Sequence, residues 1–170
     1  PTWTLQLDGT AIGGANYTMT QQYFAHGIAC HGAATWNDSS WGTNPTNDYS
    51  GMPLWLLCGF VDDANQHDAG AFNDALAASG YVVRVSSGTY YKDFSSQDVA
   101  RSSNFIVANL KNGSALTGSE YPLRLLGAYF APPNKGLSVR AVDKIELLPT
   151  PTPTPEVTPT PTPTPTPNPT

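Results

Sequence analysis

An α+β fold is the class that residues 1–148 predict. Three observations lead there. Apolar runs at residues 3–7, 81–85, 105–110, 121–126 and 144–148 carry the alternation or the β-branched content of short strands. Brief helix-like stretches with their own start and stop residues lie among them. The most apolar run, residues 49–60, is apolar all round, as a buried helix is. Many short strands with a few short helices define the α+β class.

In chain order, Trp3, Leu5 and Leu7 alternate with Thr4 and Gln6, a half-buried strand. Asp8-Gly9 turns the chain, residues 10–12 return as a short partner strand, and Gly13-Gly14 breaks it. Thr18 or Thr20 caps one helical turn over residues 21–24. Residues 25–36 then read as extended, with Cys30 near the middle, so His26 and His31 face opposite sides. Residues 37–49 are rich in Asn, Asp, Ser, Gly and Pro and read as a long loop holding Trp41. Pro53 suits a first helical turn, where its missing N–H has no partner to lose, and Gly59 suits the stop.

Residues 61–68 form a polar loop with oxygen side chains of the kind calcium takes. The loop lacks the Gly and the bidentate Glu of an EF-hand, so a solvated loop is expected. Residues 71–79 read as a helix opened by Asn73-Asp74 and stopped by Gly80. Residues 81–85 and 89–94 form a hairpin, and Ser95 or Ser96 caps a turn over residues 97–101. Residues 105–110 are a buried strand, followed by the hairpin signal Asn112-Gly113. Residues 121–126 are a strand with Pro122 near its start. Residues 144–148 close the domain.

The last 22 residues differ in kind, with ten Pro and nine Thr. Alternating proline forbids both helix and ladder. Residues 149–170 are therefore an extended linker or stalk of roughly 70 Å at about 3.1 Å per residue. Thr150, Thr152, Thr154, Thr158, Thr160, Thr162, Thr164 and Thr166 are candidate O-glycan acceptors. Asn16, Asn37 and Asn112 open N-glycosylation triplets. Only 12% of the chain is charged, against about 25% typically. A net charge of −5 with eight scattered basic residues argues against nucleic acid and anionic membrane. No apolar run approaches the ~20 residues of a membrane span. With no signal peptide and a stalk of extracellular type, the sequence is expected to be a mature or excised fragment of a secreted or cell-surface protein. Pro1-Thr2 is expected to end a preceding linker. No Gly-x-Ser-x-Gly elbow supports a serine hydrolase.

The chain resembles the molybdopterin-binding domain of the sulfite oxidase family. The resemblance rests on Tyr49-Ser50-Gly51-Met52-Pro53-Leu54-Trp55-Leu56-Leu57, Gly80-Tyr81 with the hairpin that follows, Ile106-Val107-Ala108-Asn109-Leu110-Lys111-Asn112-Gly113, Tyr121-Pro122-Leu123-Arg124-Leu125-Leu126, and Ser138-Val139-Arg140 through Lys144-Ile145-Glu146-Leu147. It implies that family's fold over most of residues 3–148. A cysteine upstream of the Gly-x-Pro-Leu segment ligates molybdenum in that family, and Cys30 corresponds. The family continues Cys-Ala-Gly-Asn with arginines, whereas Cys30-His31-Gly32-Ala33-Ala34 has no Arg or Lys until Arg84. A buried pterin phosphate needs cations or convergent donors.

Three readings follow. In the first, the chain is a non-catalytic extracellular module for structure, assembly or adhesion, without a cofactor, whose partners are other copies or domains of the same surface protein. Strand pairing at sheet edges or at residues 1–3 would serve assembly. In an oxidising compartment Cys30 and Cys58 would then form a disulfide, stabilising by roughly 3–4 kcal/mol for a loop of about 29 residues. In the second, it is a secreted molybdenum oxidoreductase with molybdopterin, Cys30 as ligand, and His31 or His26 beside the site. In the third, it is a carbohydrate-binding module using Trp36, Trp41 and Tyr49 as stacking faces.

Overall fold

The structure, a computed structural model, describes residues 2–67 and 71–169. Asp68 of the polar loop and Pro1 of the N-terminal edge lie outside the described residues.

Five strands form the first sheet: β1 (Thr4–Asp8), β2 (Asn16–Thr20), β5 (Tyr81–Ser87), β6 (Tyr90–Ser95) and β10 (Lys144–Pro149), in the order β2-β1-β10-β5-β6. β3 (Ala34–Asn37), β4 (Asp48–Pro53), β7 (Ile106–Lys111) and β8 (Ser114–Ala115) follow one another in the second sheet, and β9 (Arg124–Leu126) pairs with β7. The helices are short: α1 (Gln21–His31), α2 (Leu54–Gly59), α3 (Asp74–Ser79) and α4 (Ser96–Val99). The α+β class follows directly.

Alternation builds the core. Leu5 and Leu7 of β1, Val83 and Val85 of β5, and Ile145 and Leu147 of β10 are all 0% exposed. They pack with Leu54, Leu57 and Cys58 of α2 and Val107 of β7 in one cluster. Ile106 and Ala108 point the other way, into a smaller cluster with Tyr49, Leu116 and Leu126. The first half of β7 is thus buried on both faces, which is why Ile106, Val107 and Ala108 run on without a polar residue.

The first and last strands are neighbours. β1 runs parallel to β10, with Gln6 beside Lys144 and Asp8 beside Glu146. Such a pair needs a long crossover, and here the crossover is the rest of the domain. The chain leaves β10 directly into the exposed Pro-Thr segment, after Thr150 Oγ1 donates to Gly80 O at 3.1 Å.

The hairpins at residues 88–89 and 112–113 form as expected. Asn112 and Gly113 both have positive φ, 52° and 79°, the turn that matches strand twist. α2 forms between Pro53 and Gly59 as expected, although residues 49–53 of the same apolar run are strand β4; α3 begins at Asp74, three residues later than expected, capped by Asn73 Oδ1 accepting from Leu76 N at 3.0 Å. Gly59 is required for a different reason than helix termination. A Cβ there would sit 2.9 Å from the backbone of Phe72.

Other segments also differ from expectation, among them residues 121–126, of which only Arg124–Leu126 are strand. Residues 10–12 form a 3-10 turn, and the antiparallel partner of β1 is β2. Residues 25–31 are helical, and only residues 34–36 of the expected extended stretch are strand. Thr20 Oγ1 accepts from Tyr23 N at 3.1 Å, and the helix it caps runs on to His31 before β3 begins. The loop at residues 37–49 is shorter than expected, because Asp48 and Tyr49 already belong to β4, paired with β3 and β7. The expected Cys30–Cys58 disulfide is also absent. Both thiols are free, Cys30 exposed on α1 and Cys58 fully buried on α2. The reason is the helix: it carries Cys30 on a solvent-facing turn, while α2 turns Cys58 into the core.

Candidate functional site

The helical course of α1 gathers side chains that an extended chain would separate. His26, Cys30 and His31 come from α1, and His67 comes from the loop after α2. Together with Tyr23 and Met52 they line a small, largely apolar pocket of about 40 Å³. All three histidines of the chain therefore share one site. Tyr23 Oη and His67 Nδ1 are hydrogen-bonded at 3.0 Å. Burial, with smaller contributions from Tyr17 and Cys30, pushes the Tyr23 phenol up. The pocket floor is α1 itself, which comes close to β4 because residue 27 is glycine. A Cβ there would meet the Met52 side chain at 3.1 Å.

The donor set is imidazole and thiol, with no carboxylate. No Lys or Arg lines this pocket. Among the described residues, no group of three or more His, Cys, Asp or Glu is placed to hold a metal ion. Arg124, Lys135 and Arg140 line a different, open recess with Ser138, and neither cysteine borders it. The phosphate of a molybdopterin needs cations or convergent donors close to its thiolate ligand. The residues around Cys30 do not fit that group.

The aromatic trio divides. Tyr49 is 2% exposed, and its hydroxyl donates to Glu120 Oε2 at 3.0 Å. Trp41 donates from Nε1 to Phe130 O at 2.8 Å and receives the Arg124 guanidinium at 4.6 Å from its ring centroid. Trp36 packs edge-on against Trp41, with centroids 4.8 Å apart. Only Trp36 and the rim of Tyr49 border a surface recess, shared with Asn37 and Asp48. Of the three expected stacking faces, Tyr49 is buried, and Trp36 and Trp41 are half-buried.

Glu120 is the residue that sequence reading missed. Its carboxylate accepts from Tyr49, from Arg124 Nη1 at 3.1 Å and from Lys111 Nζ at 3.0 Å. Burial opposes its ionisation, but the bonds from Lys111, Arg124 and Tyr49 outweigh it and hold the carboxyl below its usual range. The available signal was the Glu120–Arg124 spacing of four, on a segment that is not an α-helix.

A buried acid lies just after α2. Asp62 is 1% exposed. One oxygen accepts from Asn73 N at 2.8 Å, and the other has no partner among the described residues. Burial pushes its carboxyl up to about 6. The same burial, with Asp62 nearby, pushes the Cys58 thiol far up and keeps it protonated.

The glycosylation triplets are on the surface. Asn16, Asn37 and Asn112 are all exposed. Their amides are engaged: Asn16 with Gln6, Asn37 with Asp48, and Asn112 with Asn47. Every described threonine of the tail is exposed.

No protein-family description and no curated protein sequence matches the chain. Among solved structures it is similar to the sulfane dehydrogenase SoxCD from Paracoccus pantotrophus, with a TM-score of 0.55 and 15% identity. The alignment covers 86% of this chain and 38% of that one. At this identity the likeness is one of fold. The chain thus has an α+β fold distantly shared with part of a dehydrogenase, and it spans well under half of that protein's length. No described helix is long and apolar enough to cross a membrane.

Proposed function

We propose that the chain is a non-catalytic module of a secreted or cell-surface protein, with a sulfite-oxidase-like fold carried on a Pro-Thr stalk, and that it serves assembly or adhesion. The observation that carries this reading is the continuity of β10 with the tail. A strand at the centre of the first sheet runs straight into twenty exposed residues of the stalk, so the fold is fastened to a spacer through its core. The partners are other copies or domains of the same surface protein. The absence of Lys and Arg from the lining of the pocket around Cys30 supports the non-catalytic part of the reading, since an anionic cofactor finds no permanent cation there.

Metal and pterin analysis of the protein isolated from its native source tests this. The expected result is neither molybdenum nor pterin at stoichiometric level. One equivalent of either would replace the reading with that of an oxidoreductase using Cys30, for which the fold likeness to a dehydrogenase speaks. The carbohydrate-binding reading keeps only the Trp36 recess, and a glycan array is its test.

A further inference from the structure

We propose that β1 and β10 form a shear clamp, through which the domain transmits tension between its N-terminal side and the stalk. The biological use of the clamp rests on the stalk-borne reading above; its mechanics do not. The two strands are parallel, adjacent and internal, β1 lying between β2 and β10, and β10 between β1 and β5. The chain enters β1 at Thr4 and leaves β10 at Pro149. In the register, Gln6 lies beside Lys144 and Asp8 beside Glu146. The entry point therefore overhangs one end of the paired stretch and the exit point overhangs the other. Pulling the ends apart drags the strands past each other along their own axes.

Ladder hydrogen bonds lie across the strands. Force along the strands loads all of them at once, and they must fail together. Force across the strands opens them one at a time.

The clamp is reinforced on each side. β10 pairs with β5 over six residues, from Lys144 to Pro149, and β1 pairs with β2 over five. Gln6 N donates to Asp143 O at 3.0 Å, just before β10 begins. Thr150 extends the attachment one residue into the tail through its bond to Gly80 O. Leu5, Leu7, Ile145 and Leu147 seal one face at 0% exposure, where low dielectric strengthens the bonds and water cannot replace them. Residues 9–143 lie between the clamp strands in sequence but outside the path of force. The His–Cys pocket and the second sheet are thereby shielded from load for as long as the clamp holds.

Single-molecule force spectroscopy on the full chain, in a Cys30→Ser background, tests the clamp. One tether pair is placed at the two chain ends. The other joins the N-terminal end to Thr89→Cys, at the tip of the β5–β6 hairpin. Ser86 is level with Lys144, and Lys144 with Gln6, so residue 89 sits at the same end of the sheet as Thr4. That second pull crosses the strands and peels them. Forced rupture follows the unfolding barrier along the pulled direction rather than equilibrium stability. The expected result is a severalfold higher rupture force for the end-to-end pull. Equal forces, or a weaker end-to-end pull, would overturn the clamp and leave the surface-module reading standing. A molybdenum-bearing protein with strong anisotropy would do the reverse.

Discussion

Leu7 of β1 and Ile145 of β10 occupy the same register position on parallel neighbouring strands, and both are fully buried. One pair thus joins the start of the domain to its end. Leu7→Ala should cost about 2–5 kcal/mol, and Ile145→Ala a similar amount, as large-to-small core changes do. The double variant should be non-additive by about 0.5–3 kcal/mol, because the two sites share a cavity. Urea denaturation of the four proteins measures this coupling. Strict additivity would mean that the two strands do not pack as described.

Stability should fall between about pH 4 and pH 6. Asp62 has a folded-state pKa of about 6, above the ~3.9 of an unfolded aspartate. In that window the folded protein holds a proton that the unfolded chain has released, so raising the pH favours unfolding. Two units at ~1.4 kcal/mol each set an upper bound of about 3 kcal/mol. Asp62→Asn should flatten this part of the profile, because it can still accept from Asn73 N but does not ionise. An unchanged slope in Asp62→Asn would assign the effect elsewhere.

Glu120 links Tyr49, Lys111 and Arg124. Removing it leaves Arg124, 6% exposed, with an uncompensated charge. Glu120→Ala should therefore destabilise by about 3–5 kcal/mol. Tyr49→Phe deletes one bond to the same carboxylate and should cost about 1.5–3 kcal/mol. Thermal unfolding at neutral pH separates the two. A larger loss from Tyr49→Phe than from Glu120→Ala would contradict the arrangement.

The two cysteines should differ sharply in reactivity. Cys30 is exposed and Cys58 is buried and held protonated. A thiol reagent should label one site in the folded protein and two after unfolding in denaturant without reductant. Labelling of neither site in denaturant would show the bridge expected from an oxidising compartment.

The elements legible in the sequence were those with local chemistry of their own. Asn112-Gly113 marks its hairpin, Asn73 its helix cap, and the alternation of Leu5 and Leu7 its strand. α1 was not legible because it buries only Phe24, so it presents no apolar stripe. Gly27 in its middle also lowers helix propensity by about 1 kcal/mol. Reading residues 25–36 with a period of two placed His26 and His31 apart, whereas the helical turn brings both into the pocket of Cys30 and His67. β3 lay within the stretch read as extended, whereas β4 was hidden because Asp48 read as loop and residues 49–53 as the start of the buried helix. The role of Glu120 depends on β4, β7 and β9 meeting, a long-range fact that no local window contains. The same holds for the side-by-side placement of β1 and β10.

The most direct test of the surface-module account is protease treatment of intact cells from the native source, followed by mass spectrometry of the released peptides. The account predicts cleavage within the Pro-Thr tail, and peptides of this chain among the released material, while the cells stay sealed. Recovery of the protein only after lysis, with the tail uncut in intact cells, would contradict it.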